Sequence, residues 1–215
     1  MSVTLKLATS LDGRIAIASG ESRWITGEAA REAVHRLRTR HDAVVIGIET
    51  ALADDPELTV RLDGYDGPQP ARVVLDSRQR LAPHSKLVRT ARSVPTFVVS
   101  TAPPSAALEA AGVWVLQVAD AGEGRPDLHV AVRALQDQGL GRLFVEGGGQ
   151  VASSFLRCAL VDAVEWFRAP TLLGGEGRPC VGALGVRSLA DAYRFRRVSV
   201  QSLGEDLWER YERIG

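Results

Sequence analysis

The chain has 215 residues, enough to bury one substantial core, and reads as a single domain over residues 1–215. Its 26 basic and 26 acidic side chains cancel, so no global field draws it to nucleic acid or an anionic membrane, and any anion must be held by a local site. No apolar run approaches the roughly 20 residues of a membrane span, no signal-peptide pattern opens the chain, and Cys158 and Cys180 have no Cys or His at metal-ligand spacing; a cytoplasmic protein with reduced cysteines and no metal is expected.

In chain order, Val3 to Ala8 alternates and reads as a strand with Lys6 on the face opposite Leu5 and Leu7. Thr26 suits an N-cap, and Ala30, Val34 and Leu37 follow at helical spacing, which predicts a helix over 27–39. The apolar run Ala43 to Ile48 predicts a strand buried on both faces, and Val73 to Leu75 and Phe97 to Val99 repeat the pattern. Helix-like stretches at 105–111 and 128–137 alternate with these strands, then come a short strand at 143–146 and a helix from about 150 to 159. Residues 163–168, 193–203 and 206–213 read as strands, the last two joined at Gly204-Glu205. The pattern is α/β, with a largely parallel sheet and an antiparallel C-terminal edge. Residues 63–69 and Pro103-Pro104 are loops, too short to be linkers.

Four features carry possible chemistry. Glu146-Gly147-Gly148-Gly149 lies between a strand and a helix, where glycines and exposed helical N–H groups favour a phosphate; a tight turn alone also explains it, and the G-x-G-x-x-G pattern is absent. Asp54-Asp55-Pro56 follows a buried strand, and the proline shapes the acidic pair into a loop fit for proton handling or merely for capping a turn. Lys6 stands out because 24 of the 26 basic residues are arginines, although an edge-strand lysine needs no function. The polar stretch 10–24 ends at Trp24, which suits either stacking on a ligand or a packing anchor. The histidines 35, 41, 84 and 129 show no metal spacing, and nucleophile-elbow and P-loop patterns are missing.

Six segments taken together resemble a known family: Lys6 to Ala16 (KLATSLDGRIA), Ser19 to Thr26 (SGESRWIT), Gly47 to Arg61 (GIETALADDPELTVR), Val73 to Ser77 (VVLDS), Val145 to Gly149 (VEGGG) and Ala169 to Gly175 (APTLLGG). Their order and spacing are similar to those of the reductase domain of bacterial riboflavin biosynthesis proteins, the RibD type. The resemblance implies a dihydrofolate-reductase-like fold, a mixed, mostly parallel sheet with helices on both faces and an antiparallel C-terminal hairpin, in a homodimer. It implies NADPH-dependent reduction of 5-amino-6-(5-phospho-D-ribosylamino)uracil to the ribitylamino product: the ribosylamine opens to an imine and C1′ takes up hydride. Related stand-alone reductases act on the 2,5-diamino-pyrimidinone, which keeps that substrate as the alternative.

By the same resemblance, Ser22, Arg38, Leu58, Arg61 and Glu146 match substrate-binding positions, with the two arginines suited to a 5′-phosphate and Glu146 to a polar pyrimidine or sugar donor. Ala8, Trp24, Thr50, Asp54, Ser77, Gly148, Gly149, Gln150, Val151, Ala152, Ser153 and Ser154 match NADPH-contacting positions, and Ser77 beside Arg78 suits the adenosine 2′-phosphate. Lys6 and Asp54 match the pair that assists catalysis. Bacterial members carry a fused zinc deaminase; here a separate deaminase of the same pathway is expected. A pterin or dihydrofolate reductase shares the fold but leaves Arg38 and Arg61 without a phosphate to grip, and a non-catalytic nucleotide-binding module would have no use for Lys6 and Asp54.

Overall fold

The structure, a computed structural model, describes residues 1–122 and 124–214. They form two compact units: Met1 with His35–Gly147, and Ser2–Val34 with the segment from Gly148 onward. No helix among the described residues is long and apolar enough to cross a membrane.

The first unit is built on the strands β3 (Ala43–Gly47), β4 (Ala71–Leu75), β5 (Thr96–Ser100), β6 (Trp114–Gln117) and β7 (Arg142–Val145), all parallel and ordered β7-β3-β4-β5-β6. β3 and β5 are buried along their whole length, around the apolar runs Ala43–Gly47 and Phe97–Val99, with Thr96 and Ser100 buried at the ends of β5. Val44, Ile46, Val74 and Val98 pack with Leu58, Leu81, Leu87, Leu108 and Val113 in one core, each such side chain contributing about 1.5–3 kcal/mol on burial. α5 (Leu128–Asp137) starts at Asp127, whose carboxylate accepts the His129 and Val130 N–H groups, and buries Leu128, Ala131, Val132 and Leu135.

Arg72 breaks the apolar pattern of β4. Its guanidinium is fully buried but donates to the Thr96 and Thr90 hydroxyls and to the Leu87 and Val94 carbonyls. The surrounding oxygens make burial of that charge tolerable.

The second unit holds β1 (Ser2–Thr9), β8 (Ala163–Arg168), β10 (Phe195–Leu203) and β11 (Asp206–Arg213) in the order β10-β11-β8-β1. β1 and β8 are parallel, whereas β11 runs antiparallel to both β8 and β10. Gly204, at φ +63°, makes the hairpin turn. β2 (Arg14–Ala16) pairs with β9 (Arg178–Pro179) in a separate antiparallel ribbon. α6 (Gly149–Arg157) buries Ala152, Ser153, Phe155 and Leu156.

α1 (Glu28–Arg38) buries Ala30, Ala33, Val34 and Leu37, confirming the helix read from that spacing. The expected α/β class, parallel strands and antiparallel hairpin are all present. One local reading is corrected: Asp54 is not in a loop. α2 (Ile48–Asp54) begins one residue after β3, because Glu49, Ala51, Leu52 and Ala53 are strong helix formers; Pro56 ends it only at Asp55, which sits left-handed at φ 39°. α3 (Lys86–Arg89), β2, β6 and β9 were not legible as elements.

Candidate active site

In the first unit the candidate residues follow the carboxyl ends of neighbouring parallel strands, where open α/β sheets hold ligands. Thr50 and Asp54 come from α2 after β3, Ser77 follows β4, and Glu146 follows β7. Thr50 and Asp54 are one helical turn apart, and both are half-buried.

Arg38 ends α1 and is almost fully buried. Its Nε donates to Glu146 Oε1 at 2.6 Å and its Nη2 to Oε2 at 3.1 Å, a bidentate fork, while Nη1 donates to the Thr59 carbonyl at 2.7 Å. One guanidinium therefore links two sequence-predicted residues and tethers the segment that carries a third, Arg61. That segment has other anchors. The Gln69 side-chain amide accepts from Val60 N–H and donates to its carbonyl, and His35 Nδ1 accepts the Arg61 N–H at 3.1 Å. Leu58 is buried in a left-handed conformation, φ 57°, uncommon for a non-glycine residue and found where surroundings over-determine the backbone.

The Arg61 guanidinium is more than half exposed and meets Glu57 only at 3.5 Å, a weak surface pair. It is thus available to an anion in a way that Arg38, bonded three times, is less so. His35 was not singled out as a functional residue, although it lies one turn before Arg38. Burial first, then the charges of Arg38 and Arg61, hold its pKa down to about 4, so it is a neutral acceptor at pH 7.

Ser77 opens a rigid loop. The Ser100 and Thr101 hydroxyls donate to its carbonyl, Asp76 Oδ2 accepts the Leu81 N–H, and the Gln79 amide bonds the Ala102 and Pro103 carbonyls and the Ser105 N–H. Arg78, next in this loop, is exposed.

In the second unit Lys6 is half-buried in the middle of β1, with Ala8 two residues on along the same face. Ser22 is half-buried in the loop before α1, and Trp24 is exposed with the Arg31 guanidinium 4.6 Å from its ring centre, a cation–π contact. Gly148 is the N-cap of α6 and offers no side-chain cap, leaving a helix start suited to an anion. Gly149 has a second reason to be glycine: a Cβ there would lie 2.5 Å from the Pro179 carbonyl oxygen. Gln150 is exposed, Val151 and Ser154 are half-buried, and Ala152 and Ser153 are core residues, the Ser153 hydroxyl donating to the Gln150 carbonyl. Asp12, which no motif in the polar stretch 10–24 marks, is a further anchor. It accepts from the Ser10 hydroxyl and from Leu173 and Gly174 N–H, which lowers its pKa to about 2 and pins the 171–175 segment.

The RibD C-terminal domain family matches residues 1–208. The chain belongs to that family. Among its relatives, the 2,5-diamino-6-ribosylamino-4(3H)-pyrimidinone 5′-phosphate reductase of Methanothermobacter thermautotrophicus is 40% identical over 211 residues, covering 97% of this chain and 96% of that one. The riboflavin biosynthesis protein RibD of Actinobacillus pleuropneumoniae is 34% identical over 209 residues, covering 95% of this chain. This chain spans about half the length of that RibD relative, 55%. Among solved structures, Acinetobacter baumannii RibD superposes with a TM-score of 0.87 at 35% identity, over all of this chain and 58% of that one. The mixed sheet with antiparallel C-terminal strands is the RibD reductase-domain fold.

Proposed function

We propose that the chain is a reductase of riboflavin biosynthesis that takes 2,5-diamino-6-ribosylamino-4(3H)-pyrimidinone 5′-phosphate and NADPH. The observation that carries this reading is the end-to-end match, at 40% identity, to a reductase of that name. It favours the diamino substrate over the uracil expected from the sequence. The uracil form is the second reading, supported by the RibD relatives at 32–37% identity. A substrate still bearing its 2-amino group needs no deamination beforehand, so a separate deaminase would act on the product.

NADPH suits the residues present. The glycine-led start of α6 at Gly148, which no side chain caps, fits a pyrophosphate, and the exposed Arg78 beside Ser77 fits a 2′-phosphate. When bound, NADPH supplies the hydride that C1′ of the opened sugar takes up. Arg61 holds the 5′-phosphate, and Arg38 holds Glu146 and the Thr59–Arg61 segment in the geometry that receives it. Ser22 and Leu58 complete the substrate contacts; Ala8, Trp24, Thr50 and the α6 start from Gly149 to Ser154 belong to the cofactor side. Lys6 bonds the sugar oxygen, and Asp54 places a proton at the imine nitrogen. Homodimer formation is supported by β10, an edge strand whose Val198 and Val200 are exposed.

The test is to follow NADPH absorbance with each pyrimidine phosphate. Turnover is expected to be at least 10-fold faster on the diamino form; a preference for the uracil form selects the second reading, and activity on dihydrofolate alone overturns both.

A further inference from the structure

Glu165 is the one carboxylate with no accessible surface in the second unit among its described residues, and it stands in the middle of β8. Trp208 Nε1 donates to its Oε2 at 2.7 Å and Arg210 Nη1 to its Oε1 at 2.8 Å. Neither donor accounts for the burial. Arg210 is 40% exposed and would be solvated without a partner, and an indole N–H is satisfied by any neutral acceptor. Burying a carboxylate in a strand interior is costly, and an apolar residue of similar size would serve packing at least as well. The reason for an acid at this position lies on its other side.

In the parallel register of β1 and β8, the Cα partner of Glu165 is Lys6. Residues paired this way project from the same face of a sheet, with side-chain bases about 5 Å apart. β11 continues the row, with Arg210 opposite Glu165. The face thus reads Lys6, Glu165, Arg210 across three strands, a carboxylate between two cations.

We propose that Glu165 is a positioning residue for Lys6: its buried carboxylate fixes the direction of the ammonium group and keeps it protonated for the sugar. The inference rests on the proposed role of Lys6 and adds the group that sustains it. Other charged residues of the unit come from β10, β11 and α1. Glu212 pairs with Arg210 and Arg196 at 3.5 Å, and Asp206 accepts the Gly27 N–H at the hairpin end. The start of α1 arrives there with Glu28 and Glu32, both exposed, and Arg31, which lies over Trp24. None of these is the register partner of Lys6.

The experiment compares kcat/KM of the full chain between pH 7 and 10.5 with NADPH and the diamino-pyrimidinone phosphate. Lys6→Met is expected to cost at least 100-fold throughout; if it does not, the role of Lys6 falls, whatever Glu165 does. In Glu165→Gln, which still accepts from Trp208, the basic limb is expected to move down by about one pH unit. A limb that stays in place while Lys6→Met is inactive overturns the inference and leaves the Lys6 role standing. Arg210→Gln breaks the same ion pair without removing the carboxylate, so its limb should not fall; an equal fall there overturns the inference by assigning the effect to a disturbed strand. Should Glu165→Gln fail to fold, Glu165→Asp keeps the charge and withdraws it by one methylene. A smaller downward shift is then expected, and none overturns the proposal.

Discussion

Arg38 and Glu146, 108 residues apart in the sequence, meet in a bidentate ion pair with both side chains about nine-tenths buried. The pair couples the last turn of α1 to the end of β7, and the third Arg38 bond carries the coupling to the Thr59 carbonyl. Arg38→Met removes this partner from a buried carboxylate, and a loss of about 3–5 kcal/mol is expected in a urea titration. Arg38→Met combined with Glu146→Leu should recover part of that loss, since the uncompensated charge goes with its partner. Strictly additive losses would show that the two side chains are not energetically coupled.

His35 makes the same segment sensitive to acid. Its pKa is lowered from 6.5 to about 4, first by burial and then by the charges of Arg38 and Arg61, while Glu146 opposes the shift. The unfolded chain therefore binds the proton more readily than the folded one between those two values. Stability supplied by neutral His35 is complete above about pH 6.5 and falls as the pH drops toward 4. Protonation also removes the acceptor for the Arg61 N–H. His35→Asn keeps an acceptor close to the Nδ1 position and abolishes the titration, so chemical denaturation measured from pH 7 to 4 should show a shallower decline. An identical decline in the variant would place the acid sensitivity elsewhere.

Gly149 gives a test of backbone packing. A Cβ at this position meets the Pro179 carbonyl oxygen at 2.5 Å and the Cys180 backbone at 3.4 Å, and neither is a side chain that can swing aside. Gly149→Ala should cost about 1–3 kcal/mol and lower the melting temperature with or without NADPH. A variant as stable as the parent but weaker in NADPH binding would instead show that the glycine serves only the ligand.

Much of this was readable from the residues. The unbroken apolar run of β3, the helical spacing of α1 and the alternation of β1 are each local patterns, which is why those elements are legible close to their observed bounds. α3 spans four residues and β9 two, too few for a period to appear. Asp54 is helical although Pro56 follows two residues on, because a proline restricts only the residue before it and the helix formers of α2 prevail up to Asp54. The candidate site showed its residue types but not their partners. The Arg38–Glu146 fork, the His35–Arg61 bond and the Lys6–Glu165 register are all contacts between distant segments, and no local pattern encodes them.

The loop after β4 is a test of cofactor choice. Ser77 is held by two hydroxyls on its carbonyl, Gln79 is left-handed at φ 53° and bonded to the next loop, and Asp76 accepts from Leu81, so Arg78 projects from a framework that is already fixed. An exposed guanidinium on a rigid loop gains a 2′-phosphate at little entropic cost, because only its own side chain must be ordered. Arg78→Ala should therefore raise KM for NADPH by about 10-fold, a loss of the size of one charge-assisted bond, and leave KM for NADH nearly unchanged. Ser77→Ala should act in the same direction with a smaller effect. Steady-state kinetics with both cofactors decide the point: equal losses for NADPH and NADH would mean that the loop serves the shared adenosine or pyrophosphate, and that selection of the 2′-phosphate lies with other residues.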